Sequence, residues 1–142
     1  MSKTVIKPYI RNAKYYETDQ MGIIHHSNYI RWMEEARLDV MKQAGISYRA
    51  LEEMGIIIPV LSVSCQYKSM VHFDDTVEIS VKTVKYTGVK FELEYEFKDA
   101  ETGKTYTTGA SSHCFLDRDY RVISLKHQNP GLHEKFKKML EL

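Results

Sequence analysis

The stretch YYETDQMGIIHHSNY gathers more reactive side chains than any other part of the chain. Asp19 is followed three residues on by Gly22, then by the adjacent His25 and His26, with Asn28 and Tyr29 closing the segment. A carboxylate placed so can attack an electron-poor carbonyl to give a mixed anhydride, or take a proton from water. Aspartate, with a reference pKa of about 3.9, is a poor base, so the second route needs burial or positioning to raise it. The residues alone leave both routes open. Gly22 permits a tight turn after Asp19, and the unpaired amides at a helix start around His26 to Tyr29 would point outward at the positive end of the dipole. Such donors suit an oxygen that gains charge during reaction. Each residue also has a plainer reading. An acid before a helix often serves only as a cap, His25 as a wall or solvent-facing residue, and His26 as a satisfied polar residue at a helix entrance.

Positioning these groups requires regular elements on either side. Residues 7–16 mix Tyr, Ile and Arg in rough alternation and predict a first strand ending near Glu17, with Pro8 tolerable at its start. Tyr29, Trp32, Met33, Ala36, Val40, Met41 and Ala44 recur every three or four residues, which predicts a helix of ~16 residues, about 24 Å long. Ser27 or Asn28 is expected to cap it and Gly45 to end it. A shorter helix over 47–54 follows. The period then becomes two: Leu61, Val63, Cys65 and Tyr67 share a face, as do Val77, Ile79 and Val81, and Phe91, Leu93, Tyr95 and Phe97 oppose Glu92, Glu94, Glu96 and Lys98. Turn residues at 86–88 and 100–103 make the strands between Val77 and Asp117 antiparallel neighbours. A short last strand over 122–125 and a C-terminal helix opened by Asn129-Pro130 complete the reading, with Leu132, Phe136, Met139 and Leu140 inward. The class is α+β, with a helix lying along one face of a twisted sheet.

Bulk properties narrow the setting. A chain of 142 residues suits one domain over 1–142 with a core large enough to need no staple or metal. A net charge of +1 gives no global attraction to nucleic acid or anionic membrane. Cys65 and Cys114 lie in alternating apolar segments outside any CxxC pair, as reduced core thiols do. No apolar run approaches the ~18 residues of a membrane span, and MSKTVIKPYI lacks a signal-peptide core. The cytoplasm is therefore the expected location. Ten tyrosines, several on faces otherwise expected to be wet, suggest burial against a second copy.

The run from Asp19 to Tyr29, followed by Trp32, Glu34, Ala36 and Arg37, resembles the active-site segment of the 4-hydroxybenzoyl-CoA thioesterase family of hotdog-fold acyl-CoA thioesterases. Ser64 to Lys68 and Phe73-Asp74-Asp75 are similar to that family's central-strand and turn pattern, and the likeness covers residues 9–117. It implies a hotdog fold, dimers that pair into tetramers, active sites between subunits, an acyl-CoA substrate, and no metal or organic cofactor. It further implies Asp19 as nucleophile or general base, the His26 backbone N–H as oxyanion donor, and Glu34 as an acid that polarises or positions water. The His26 imidazole is a second candidate to orient substrate or water. Gly22, His25, Asn28 and Tyr29 would line the substrate site. Glu34 and Arg37, three residues apart, could instead simply pair on the helix surface.

Lys82, Lys85 and Lys90 flank one hairpin and are candidates for the CoA phosphates, although lysines also blunt edge strands. Gly109-Ala110-Ser111-Ser112-His113 imitates a serine-hydrolase elbow but lacks its second glycine and sits in a strand, which argues against a nucleophilic Ser111. His72-Phe73-Asp74-Asp75 resembles a metal cluster, yet its alternating side chains would not converge. Two other functions fit the scaffold. A hydratase would pair an acid with a histidine, five residues apart in the R-specific hydratases, whereas Asp19 lies six and seven from His25 and His26. A non-catalytic acyl-CoA sensor would carry an added DNA-binding segment.

Overall fold

The computed structural model describes residues 6–142, so the start of the leader reading lies outside the described residues. The chain runs through β1 (Tyr9–Asn12), a 3-10 turn (Tyr15–Glu17), α1 (Ser27–Gln43), α2 (Tyr48–Glu53), β2 (Val60–Tyr67), β3 (Thr76–Tyr86), β4 (Lys90–Asp99), β5 (Thr105–Cys114), α3 (Leu125–Gln128) and α4 (Pro130–Leu140). The strands form one antiparallel sheet in the order β1-β3-β4-β5-β2.

Alternation on β4 sorts the sheet's two faces. Phe91, Leu93, Tyr95 and Phe97 are buried, as are Val77 and Ile79 on β3, while Glu92 and Glu94 face outward. Onto the inner face packs α1, burying Tyr29, Trp32, Met33, Ala36, Val40 and Met41. Trp32 stacks at 6.5 Å on Phe97, and Met33 meets Cys65 at 3.4 Å. Close approach is possible because β5 has Gly109 beneath Met33; a Cβ there would lie 2.9 Å from the Ser64 carbonyl and 3.1 Å from Met33 Cε.

Several expectations need correction. The first strand ends at Asn12, because Glu17 accepts from the Lys14 amide and bends the chain into a 3-10 turn. Residues 122–125 form only a bridge from Val122 to Leu116, and Leu125 already opens a short helix behind an extended Ser124. The inward residues of β2 are largely exposed rather than core, because β2 is an outer strand. Cys114 is buried but Cys65 only half so. Leu140 is exposed, while Leu132, Phe136 and Met139 are buried. Asn129 caps α4 as expected, accepting from the Leu132 amide at 3.1 Å. No described helix is long and apolar enough to cross a membrane.

Candidate active site

Glu17 anchors the strand side of the site. Its carboxylate, almost wholly buried, accepts two bonds from Arg11 at 2.9 and 3.0 Å and one from the Trp32 indole at 2.8 Å. Arg11 also lies over the Trp32 ring and bonds Glu35. Buried charges are tolerated only when paired and hydrogen-bonded, and this cluster satisfies both conditions while tying the strand end to α1. Neither Glu17 nor Arg11 stood out in the sequence, since their partners lie on separate elements.

Two residues later the backbone reverses. Asp19 N–H donates to the Ile23 carbonyl at 2.8 Å and Gly22 N–H to the Asp19 carbonyl at 3.1 Å. Gly22 has φ of +76° with open space where a Cβ would stand, so its conformation rather than crowding calls for glycine. The Asp19 carboxylate accepts from Met21 N–H through Oδ1, and its other oxygen has no donor among the described residues. Asp19 thus faces the cleft instead of capping α1.

The helix begins one residue earlier than expected. His26 is its N-cap, yet its φ and ψ are already helical and its side chain caps nothing. The His25 ring fills that gap, with Nδ1 2.9 Å from Ser27 Oγ and 3.2 Å from Ser27 N–H, and the two imidazoles stack at 4.2 Å. Among the described residues the His26 N–H meets no acceptor, whereas its carbonyl accepts from Tyr29 N–H and the Tyr67 hydroxyl.

A cleft of about 820 Å³ joins these groups, lined among others by Asp19, His26, Tyr29, Tyr67, Lys68 and Lys104. Tyr29 and Tyr67 meet edge to face at 4.9 Å, and burial pushes both phenols above their ordinary range. At the far wall the Tyr106 hydroxyl lies 2.9 Å from Asp99 and 3.2 Å from Asp75. Burial, reinforced by the bond to Asp99, raises the Tyr106 phenol further still. Asp75 also accepts from His72 N–H, so the 72–75 segment closes a turn.

Other candidates are placed elsewhere. Glu34 is exposed on α1 and does not line the cleft of its own chain. The Glu34–Arg37 pair is not formed; Arg37 instead donates to the Tyr95 hydroxyl at 3.4 Å. Lys82, Lys85 and Lys90 also lie outside the cleft: Lys85 is beside Glu92 and Lys90 starts β4, whose opposite end at Asp99 meets the cleft roughly 30 Å away. Among the described residues Lys68 and Lys104 are the lysines that line it; in sequence Lys68 is read only as part of the Ser64–Lys68 pattern and Lys104 carries no signal, because each lies just outside a strand end. Asn28, expected to touch substrate, is buried and gives its amide to the Glu17 and His25 carbonyls at 2.9 and 3.3 Å. Ser111 is buried in β5 between the Tyr95 hydroxyl and His113 Nε2. Its burial rules out an exposed nucleophile.

Residues 14–140 match the sequence profile of the thioesterase-like superfamily. The chain is 31% identical over 127 residues to YneP of Bacillus subtilis (strain 168), provisionally named an acyl-CoA thioesterase, covering 89% of this chain and 91% of that protein. Among solved structures, a DHNA-CoA thioesterase from Staphylococcus aureus superposes with a TM-score of 0.90 at 34% identity, covering 96% of this chain and 91% of that one. The BH1999 gentisyl-coenzyme A thioesterase gives a TM-score of 0.78 at 25% identity, covering 86% and 98%. The sheet order and the helix on its inner face are thus those of the hotdog fold.

Proposed function

The chain belongs to the thioesterase-like superfamily, and from that premise we propose that it hydrolyses acyl-CoA thioesters in the cleft between Asp19 and the start of α1. The observation that carries this reading is that one cleft is lined both by Asp19, whose carboxylate keeps an oxygen without a donor, and by His26, whose backbone N–H meets no acceptor, among the described residues. The N–H of His26 receives the thioester oxygen and stabilises the charge it gains in the tetrahedral intermediate. Asp19 supplies the other half, by adding to the carbonyl and expelling the CoA thiolate as a mixed anhydride forms, or by activating the water that adds. Free acid and CoA thiol are the products in either case.

The ring-lined cleft, with Tyr29, Tyr67 and Tyr106, favours an aromatic acyl group, in keeping with the similarity to thioesterases named for aromatic CoA esters. No imidazole bonds Asp19, and its spacings of six and seven residues to His25 and His26 depart from the five of the R-specific hydratases, which favours hydrolysis over hydration. The active unit is a homo-oligomer, because Tyr67 on the cleft wall ends an outer strand whose edge is free.

Purified protein given a panel of aromatic, short-chain and fatty acyl-CoAs should release thiol, fastest with aromatic esters. Asp19→Ala should lower kcat by at least about 10³-fold with the fold intact. Undiminished release by that variant would remove Asp19 from the chemistry. Single turnover in ¹⁸O-water tests for direct attack: label in the Asp19 carboxylate identifies a mixed anhydride opened by water at the Asp19 carbonyl, which the general-base route cannot produce.

A further inference from the structure

We infer that Asn28 is a positioning residue for the oxyanion donor, holding the His25–His26 peptide so that the His26 N–H faces the cleft. The inference rests on the reading of that N–H as the donor. The His25–His26 peptide is trans and planar, so its C=O and N–H point in opposite directions. Whatever fixes the His25 carbonyl therefore aims the His26 N–H.

Asn28 fixes it twice. Its backbone N–H donates to the His25 carbonyl at 3.0 Å and its side-chain Nδ2 at 3.3 Å. The first bond belongs to any helical turn here, but the second is particular to an amide side chain. The same Nδ2 donates to the Glu17 carbonyl at 2.9 Å, which also accepts the His25 N–H at 2.9 Å. His25 is thus held on both flanks, and the carbonyl at its centre belongs to the residue two before Asp19. Arg11 and Trp32 immobilise Glu17 in turn. Through one buried amide, the peptide carrying the donor is locked to the segment carrying the carboxylate.

No shorter or charged side chain reproduces this arrangement. Serine cannot reach both carbonyls, and an aspartate would set a carboxylate against two carbonyl oxygens. Asn28 touches no substrate in this scheme and acts wholly through the His25 carbonyl. Its loss should degrade the transition state more than the ground state, because the thioester oxygen carries its charge only in the former.

The test compares Asn28→Ala and Asn28→Asp with the parent for kcat, KM and thermal midpoint, beside Asp19→Ala. Losing one oxyanion donor outright costs on the order of 10²–10³ in rate, so mis-aiming it should lower kcat about 10- to 100-fold with KM changed less than about threefold. A second readout uses a ¹³C-labelled thioester carbonyl bound to Asp19→Asn. Its infrared stretch should lie below the free value and return toward it when Asn28→Ala is added. A folded Asn28→Ala with parental kcat overturns the inference, as does a carbonyl stretch unmoved by that substitution. If Asn28→Ala does not fold, Asn28→Asp and the infrared measurement in its background decide by the same criteria. An active Asp19→Ala would sink the catalytic reading; an inactive Asp19→Ala beside a fully active Asn28→Ala would sink only this inference.

Discussion

His113 lies wholly buried on the ring of Phe91, 4.8 Å between centroids, with Nε2 2.8 Å from the Ser111 hydroxyl. Burial, and then the Arg37 charge, push its pKa down to about 4. The unfolded chain binds this proton near pH 6.5 while the folded chain refuses it until about pH 4, so stability is full above 6.5 and falls as pH drops through that window. At pH 5 the loss should be about 2 kcal/mol. Urea midpoints at pH 7.5 and 5.0 measure it, and His113→Phe should remove most of the difference; an equal difference in that variant would place the proton uptake elsewhere. Legibility in sequence varies at this same scale. Asp19 and Gly22 announced themselves because a turn acid and a positive-φ glycine act locally. Asn28 reads in sequence as a substrate contact, whereas the structure buries it against the Glu17 and His25 carbonyls, partners set by how the strand end folds back onto the helix.

Among the elements, those whose burial is decided within one chain were the readable ones. The three-and-four spacing of α1 and the strict alternation of β4 follow from a single core face, and both are seen as expected. β2 alternates equally well, yet its apolar side is uncovered, because nothing local tells a strand whether it will lie at an edge. The join of α1 to the sheet is the most demanding contact. Gly109 admits Met33 where any Cβ would press on the Ser64 carbonyl, a backbone atom that cannot yield as a flexible side chain does. Gly109→Ala should therefore push the helix outward and cost about 1–3 kcal/mol. A urea titration showing an unchanged midpoint would mean that the sheet gives way at little cost. Because Met33 is one turn from Tyr29, the same variant should also loosen the cleft wall and raise KM.

For the whole molecule, the homo-oligomer proposed above would be built on the exposed edge of β2. This eight-residue strand pairs with β5 on one side only, and it exposes Val60 at 49%, Leu61 at 50%, Val63 at 39% and Tyr67 at 49%. An outer strand this long and apolar is normally blunted by charge, proline or a bulge facing solvent. Lysine appears only at Lys68, just past its end, and the bulge at Val60–Ser62 lies at its start. The central residues remain free to pair with another β-strand. A second copy in antiparallel register would continue the sheet through both subunits and bury these side chains together, an isologous contact that closes as a dimer. Tyr67 ends β2 and donates to the His26 carbonyl at 3.3 Å, so ordering the edge would also steady the helix start beside the proposed oxyanion donor. Val63→Lys, at the middle of the strand, should convert the assembly to monomers by light scattering at micromolar concentration, because it sets two lysines near each other across the two-fold axis. Turnover should fall with it, and recover in part at higher protein concentration as mass action restores pairing. A Val63→Lys protein that keeps the parental mass would move the interface to another surface, while a fully active monomer would show that each cleft is complete within its own chain.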